Sequence, residues 1–381
     1  MAARPALPAL TGLRFIAAAQ VVGFHAHAMV PAWRDNPALV FLGAGYSGVS
    51  LFFVLSGFVL TYNYLTPDGT GVRSVRDFLI ARFARVYAVY LVGIVLALPI
   101  FVRDLQRSGA PGAIVREGIP VTAATVALLQ AWIPSYACRL NCPGWSLSAE
   151  AFFYLTFPLV GAWLCRRQRG TLLAVCLLCW ALACTLVLSY LRLDPERIGG
   201  VTALTQSTWV SMLKFNPLLR LPEFILGVAT GLLFLRDPGA LRRVAGPLSI
   251  VTLLVIGALL SQHERMLYLL IHNGVMAPLY ALLIVTLACG VGPLAQLLST
   301  KTFGLLGEAS FALYLLHVAL LVYVVKALGV LHLSIDQTPA LIVVYLLVAQ
   351  LSAIVVLQRI EEPARRFVRR RFSAAARVSD A

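Results

Sequence analysis

The chain is predicted to be an all-α polytopic membrane protein of about ten transmembrane helices, with both termini cytoplasmic. Three observations carry that prediction. Of its 381 residues 60% are hydrophobic and only 12% charged, roughly half the ~25% charged of soluble domains. The mean hydropathy is +0.86. The apolar residues also gather into windows of the ~17–25 residues needed to cross a ~30 Å hydrocarbon core. The net charge of +15 does not indicate nucleic acid, because the arginines sit in short clusters between apolar runs, as in cytoplasmic loops. No nucleic-acid partner is expected.

The first span is 13–33. Its stretch Leu13–Phe24 followed by Ala26-His27-Ala28 loosely mimics a signal peptide with a small-residue cleavage site. The apolar run continues to Val30, and Arg14 interrupts the basic-then-apolar order, so a retained span is expected. The others are 44–65, 86–102, 144–164, 171–191, 217–235, 244–261, 275–293, 303–325 and 340–358. The window 119–135 is shorter and less apolar, and is expected to be interfacial or re-entrant. With ten spans, 20 of the 31 Lys and Arg residues fall on the side of the N-terminus. Those in the short loops 165–170 and 236–243 weigh most in the positive-inside rule. Residues 1–372 are expected to form one membrane domain, and 373–381 a short disordered cytoplasmic tail. No internal repeat or pair of interrupted helices typical of inverted-repeat transporters is evident.

Five cysteines (Cys165, Cys176, Cys179, Cys184 and Cys289) lie in or beside apolar spans and are read as small buried hydrophobes. Cys138 and Cys142 flank Arg139-Leu140-Asn141 in a polar loop. A disulfide is expected if that loop is extracytoplasmic. The spacing also suits half a metal site, but no second Cys/His pair accompanies it, so no metal is expected.

Ionisable groups inside spans carry the functional argument, because hydrocarbon penalises an Arg at a helix centre by roughly 2.5–3.5 kcal/mol. Arg14 and His25 share span 1, and eleven residues of helix separate them by ~16 Å along the axis, about half the bilayer. His27, two residues on, points ~200° away from His25. Either imidazole alone is equally well explained as a hydrogen-bonded packing residue. Ser47-Gly48 in span 2 fits close helix packing. Arg82 and Arg85 lie on one helix face before span 3, where topology or a phosphate-binding fork explains them. Glu150 stands one turn inside span 4, a costly place for an unpaired carboxylate.

Taken in order, these residues resemble the integral-membrane acyltransferase family 3, along nearly the whole chain. The matching motifs run from Leu10-Thr11-Gly12-Leu13-Arg14 through the Arg14-x10-His25 pair, which selects His25 over His27. They continue with Phe52-Phe53-Val54-Leu55-Ser56-Gly57-Phe58, Arg82-x-x-Arg85 and Trp145-Ser146-Leu147-Ser148-x-Glu150. Leu221-Pro222-Glu223-Phe224, Ser310-x3-Tyr314-x-x-His317 and Glu362-Pro363-Ala364-Arg365-Arg366 complete the set. Each motif alone is weak; their order across ten spans is specific.

The resemblance implies a multi-pass enzyme of the bacterial cytoplasmic (inner) membrane. It would move acyl groups, often acetyl from acetyl-CoA as donor substrate, onto extracytoplasmic or lipid-linked glycans such as an O-antigen or exopolysaccharide. His25 is then expected to deprotonate the acceptor hydroxyl or to carry the acyl group, with Glu150 orienting the imidazole. Arg14, Arg82 and Arg85 are expected to bind the coenzyme A phosphates. Tyr314, His317 and Ser148 are acid/base or structural candidates, and Trp145 and Glu223 acceptor-side candidates. Glu223 equally suits an ion pair with Arg220, and Glu361 and Glu362 are expected to anchor the end of span 10 near Arg365.

Two departures stand out. Ala88 occupies a place where the family usually has Pro, and the fused extracytoplasmic hydrolase-like domain of many members is not expected here. Acceptor choice is therefore expected to fall to the outer loops 103–143 and 192–216, whose Trp132, Tyr136 and Trp209, with Trp145 at the adjoining start of span 4, suit stacking on sugars or interfacial anchoring. Within the same family, the acceptor could instead be a small secondary metabolite such as a macrolide, or the donor a succinyl thioester. A transporter of lipid-linked sugars or amphiphiles is the alternative from another class. A scaffold is hard to reconcile with Arg14, His25 and Glu150 all placed in spans.

Overall fold

The computed structural model describes residues 4–29, 36, 39–65, 71–72, 74–203, 205–333 and 340–372. The expected tail 373–381 lies outside them. Among the described residues ten helices are long and apolar enough to cross a membrane. The first is α1, Pro8–Met29. A 3-10 turn, Val40–Ser47, leads into α2, Gly48–Tyr64, and α3 follows as Val75–Arg107. Ala88 sits inside α3, which passes it unbroken.

The 119–135 window is not an eleventh span. Its helix, α4, covers only Ile119–Val126, ~12 Å long at 1.5 Å per residue. It ends in a turn with Leu128 at φ +58°, and Ile114, Val115, Ile119, Leu129 and Ile133 are exposed along it. The fourth and fifth crossings are α5, Trp145–Leu164, and α6, Arg169–Leu193. In the sixth, α7, Thr208–Phe215, breaks at Asn216 before α8, Pro217–Arg236. The seventh is α9, Gly239–Ser261. The eighth is also broken, with α10, Tyr268–His272, separated from α11, Ala277–Ala288, by a turn. A short α12, Pro293–Leu298, precedes α13, Lys301–Val330. The last crossing, α14, Ala340–Val356, passes through a π-helical turn, Leu357–Glu361, into the basic α15, Glu362–Phe372.

Lipid tails are as apolar as leucine, so helices in a bilayer associate by close packing through small residues. The α2–α8 pair does this reciprocally. A Cβ on Gly57 would stand 2.2 Å from the carbonyl oxygen of Phe224, and one on Gly227 would stand 2.1 Å from that of Val54. Gly227 and Gly231 form a Gly-x3-Gly stripe against α2, and the Thr61 hydroxyl donates across to the Val228 carbonyl, 3.4 Å. Helices α1 and α13 likewise run together, with Gly307 so near that a Cβ would meet the Thr11 carbonyl oxygen at 2.0 Å. That contact holds the helix bearing His25 against the helix bearing His317.

Gly307→Ala should therefore force α1 and α13 apart. The overpacking cost is about 1–3 kcal/mol, a fall in Tm of roughly 2–6 °C for the detergent-solubilised protein. Gly304→Ala, three residues earlier with nothing within 4 Å of its added Cβ, should leave Tm unchanged or slightly raised. Equal Tm values for the two variants would contradict the packing described.

Candidate active site

Arg14 and His25 both project from α1, and each is half-buried. Around Arg14 a partly open cavity draws its polar lining from five helices. Arg82 and Arg85 come from α3, Ser56 from α2, Glu150 and Tyr154 from α5, and Ser310 and Tyr314 from α13. The three arginines expected to act together do converge, in the company of a carboxylate. Arg82 donates to the Tyr64 hydroxyl, 2.7 Å, with its guanidinium 5.0 Å from that ring's centroid. Arg14 and Arg85 make no hydrogen bond to any described residue. Glu150 accepts from the Ser56 hydroxyl, 3.0 Å. Ser56 and Tyr154 were not singled out from the sequence, although Ser56 lies inside the quoted Phe-Phe-Val-Leu-Ser-Gly-Phe run.

The imidazole partner of His25 is His317 rather than Glu150. Their Nδ1 and Nε2 atoms stand 3.1 Å apart, with ring centroids 4.8 Å apart. Carbonyl oxygens only accept hydrogen bonds, and this fixes the protons. His317 Nδ1 lies 2.7 Å from the Tyr314 carbonyl, so it carries the hydrogen and leaves Nε2 as a lone pair. His25 Nδ1 lies 2.9 Å from the Val21 carbonyl, so it too carries the hydrogen and shares it between Val21 and His317. In the neutral imidazole this leaves Nε2 of His25 as the lone-pair nitrogen, able to accept. His317 is fully buried, and the Tyr345 hydroxyl donates to its carbonyl, 3.1 Å. His27 turns instead toward the 3-10 turn, its Cε1 3.4 Å from where a Cβ of Gly43 would stand.

A second buried polar cluster lies where three crossings are irregular: at the 3-10 turn before α2, the break at Asn216 and the turn after α10. Broken helices free backbone carbonyls, which hydrocarbon tolerates only where protein satisfies them. Arg220, fully buried, donates to the His272 carbonyl, 2.5 Å, to Asn273 Oδ1, 3.1 Å, and to the Ser50 hydroxyl, 3.1 Å. Asn273 donates its amide to the Leu213 carbonyl, 2.6 Å. Glu223 pairs with Arg220 at 2.8 Å, and Gly274, at φ +93°, lies so close that a Cβ would meet the Glu223 carboxylate at 3.0 Å.

Trp145 covers the same guanidinium, 5.7 Å from its ring centroid, and packs on Phe53 and Phe215. Trp145 and Glu223 are thus enclosed in this cluster rather than presented to a loop, and Glu223 takes the ion-pair alternative. Ser148 is buried and donates to the Leu128 carbonyl, 2.5 Å, tying α5 to the left-handed turn after α4. Cys138 and Cys142 are joined as a disulfide, with Cα atoms 4.0 Å apart. Glu361 is buried in the π-helical turn.

The loop between α6 and α7 is organised by Glu196, which accepts from the Tyr190 hydroxyl at 3.1 Å, the Ser207 hydroxyl at 2.5 Å and the Trp209 amide at 3.2 Å. Slight burial pushes its carboxyl up, but these donors outweigh that and hold it below the usual carboxylate value. A lowered folded-state value means the clip contributes at neutral pH and is lost as pH falls through that value.

A family model described as an acyltransferase domain matches residues 7–359. The chain is 32% identical over 335 residues to acyltransferase MdmB of Streptomyces mycarofaciens, covering 85% of this chain and 81% of MdmB. It is 34% identical over 184 residues to protein 2 in the picA locus of Rhizobium radiobacter, which covers 44% of this chain and 88% of that protein. It is 25% identical over 348 residues to O-acetyltransferase OatA of Staphylococcus aureus. That last match covers 84% of this chain and 51% of OatA, so this chain spans about half of OatA's length. No solved structure matches it.

Removing one member of the buried Arg220–Glu223 pair should strand the other. Glu223→Leu is expected to destabilise by about 3–5 kcal/mol, read as loss of folded protein in size-exclusion chromatography and a lowered Tm. The double variant Arg220→Met/Glu223→Leu should recover part of that loss, since the charge leaves with its partner. A Glu223→Leu protein as stable as wild type would show that Arg220 does not depend on the pair.

Proposed function

The chain belongs to the integral-membrane acyltransferase family 3, and on that premise we propose what it transfers and how. It moves an acyl group, acetyl in the first instance, from cytoplasmic acyl-CoA to a hydroxyl of an extracytoplasmic or lipid-linked glycan. The observation that carries this reading is the division of labour along α1. At one depth Arg14, Arg82 and Arg85 line a cavity in which two guanidiniums have no hydrogen-bond partner among the described residues. Further along the same helix, His25 keeps an unprotonated nitrogen.

Guanidiniums are forks matched to phosphate, so the arginine cavity binds the pyrophosphate of the donor. The end of the bundle holding Arg4, Arg14 and Arg82 faces the cytoplasm, in line with the distribution of basic residues. The ~16 Å between Arg14 and His25 along the helix is then spanned by the donor's extended arm, bringing the thioester to the imidazole. His25 Nε2 takes the proton from the acceptor hydroxyl while its oxygen forms a bond to the thioester carbonyl carbon. The carbon–sulfur bond breaks, and the departing thiolate takes the proton back from His25. The ester and free coenzyme A are the products.

His317 acts as a positioning residue, holding the Nδ1 proton of His25 so that Nε2 faces the acceptor. Glu150 is the counter-charge of the arginine cavity, steadied by Ser56. Loop 192–216, clipped by Glu196, contributes to acceptor choice.

The purified protein should bind acetyl-CoA in the absence of any acceptor. His25→Ala should lower transfer by about 10²–10⁴-fold with donor affinity intact, and His317→Phe should give a smaller loss of about tenfold in kcat. Arg82→Lys should weaken donor binding, because a bidentate fork is lost. A His25→Ala protein that folds normally and keeps full activity would overturn the chemistry. For the acceptor, mass spectrometry of surface glycans from a deletion strain should show loss of one acyl group. Unchanged glycans with loss of an acylated small metabolite would move the acceptor to that class.

A further inference from the structure

A second, partly open cavity adjoins the arginine cavity, and the chemistry above does not use it. The two share Arg14, Val59 and Arg85 in their walls, so they are neighbours that a bound ligand would link into one path where these side chains part. The second cavity opens at the end of the bundle where α1 begins and α2 ends, and its own polar lining is Arg4, Thr11, Tyr62 and Asn63. Arg4 is pinned in the wall. Its guanidinium donates to the carbonyls of Tyr62 and Leu65 and lies 5.6 Å from the Tyr62 ring centroid. The Tyr62 hydroxyl closes the arrangement by donating to the Pro5 carbonyl, 2.9 Å. Two carbonyls engage only part of the five N–H donors of a guanidinium, so an oriented cation keeps donors in reserve.

The charge balance of the path is one-sided. None of the described residues lining the second cavity is acidic, while three arginines border it. Over the whole path, Arg4, Arg14, Arg82 and Arg85 face Glu150 in the lining, with Glu361 of the π-helical turn the further carboxylate acting on Arg14 and Arg85. One pyrophosphate engages the inner three, so Arg4 is left for a further anion. Seven residues of α1, from Pro8 to Arg14, set it ~9 Å or more away along the axis, on the side opposite His25. The order along the path is therefore Arg4, the inner arginines, then the imidazole. A coenzyme A thioester presents its groups in that order: a phosphate on the 3′ carbon of its ribose, the pyrophosphate, and the thioester at the end of the arm.

We infer that this outer cavity is the subsite for the nucleotide end of the donor, with Arg4 on its 3′-phosphate. The site thereby selects a full coenzyme A thioester over donors lacking that phosphate. The inference rests on acyl-CoA being the donor, as proposed above.

Binding of free coenzyme A, 3′-dephospho-coenzyme A and pantetheine to the full chain, purified in detergent without added phospholipid, tests it and needs no acceptor. The wild type should bind coenzyme A about tenfold more tightly than the 3′-dephospho form, as one charge-assisted contact allows. Arg4→Gln should erase that preference and bind both about as the wild type binds the dephospho form. Arg4→Lys, which keeps the charge but cannot fork between two carbonyls, should retain most of it. A wild type without the preference, or an Arg4→Gln protein that keeps it, overturns the inference while leaving the donor reading intact. So does an Arg4→Gln protein weakened equally toward both ligands, because Arg4 then serves only to cap α2. A wild type that binds neither nucleotide would remove the donor reading, and this inference with it.

Discussion

Hydrocarbon offers no hydrogen bonds, and that single constraint governs where this chain puts every polar group. A regular helix meets it internally, but three of the crossings here are irregular and expose backbone carbonyls at depth. Arg220 answers for that. It bonds the His272 carbonyl, the Asn273 amide oxygen and the Ser50 hydroxyl while its charge is met by Glu223. Desolvating such a pair is expensive, and its net contribution need not be large. What its contacts do is gather groups from three irregular crossings around one guanidinium.

The same constraint separates structural from functional charge. The Arg220 cluster is crowded with partners and covered by Trp145 and Phe53. The Arg14 cavity is the reverse: two of its guanidiniums lack a hydrogen-bond partner among the described residues, and three cations share the carboxylates of Glu150 and, from the π-helical turn, Glu361. A surplus of positive charge at depth is tolerable only where water or an anionic ligand completes it. Arginine alone is therefore not informative in such a protein; the degree to which its neighbours satisfy it is.

How much of this was legible in the sequence follows from what spacing encodes. Window hydropathy finds ten crossings because length and apolarity are local properties, and the Arg14–His25 spacing fixes relative depth because helical rise is constant. Rotation and lateral neighbours are not local. Hence Glu150, legible as a costly carboxylate, sits beside Ser56 and the arginines while His317 takes its place beside His25. Breaks limit window hydropathy as well: the windows 217–235 and 275–293 begin just after Asn216 and the His272-Asn273-Gly274 turn, and so leave out α7 and α10, which are too short to register as spans. Lys214 and Arg220, two cations six residues apart in an apolar stretch, were the available sign of that cluster.

The imidazole pair constrains how the proposed transfer proceeds. In a serine-hydrolase triad a carboxylate stabilises the imidazolium that forms on the base. Here the neighbour of His25 is a neutral, fully buried imidazole whose Nδ1 proton is committed to the Tyr314 carbonyl. It can accept the Nδ1 hydrogen of His25 but offers no compensating charge. A long-lived imidazolium is thus disfavoured at this depth, and so is free alkoxide. The least costly course keeps charge separation brief: the proton moves to Nε2 as the carbon–oxygen bond forms, and returns to sulfur as the carbon–sulfur bond opens. Neutral His317 therefore favours His25 as a transient proton carrier over a charged, persistent acyl-imidazolium.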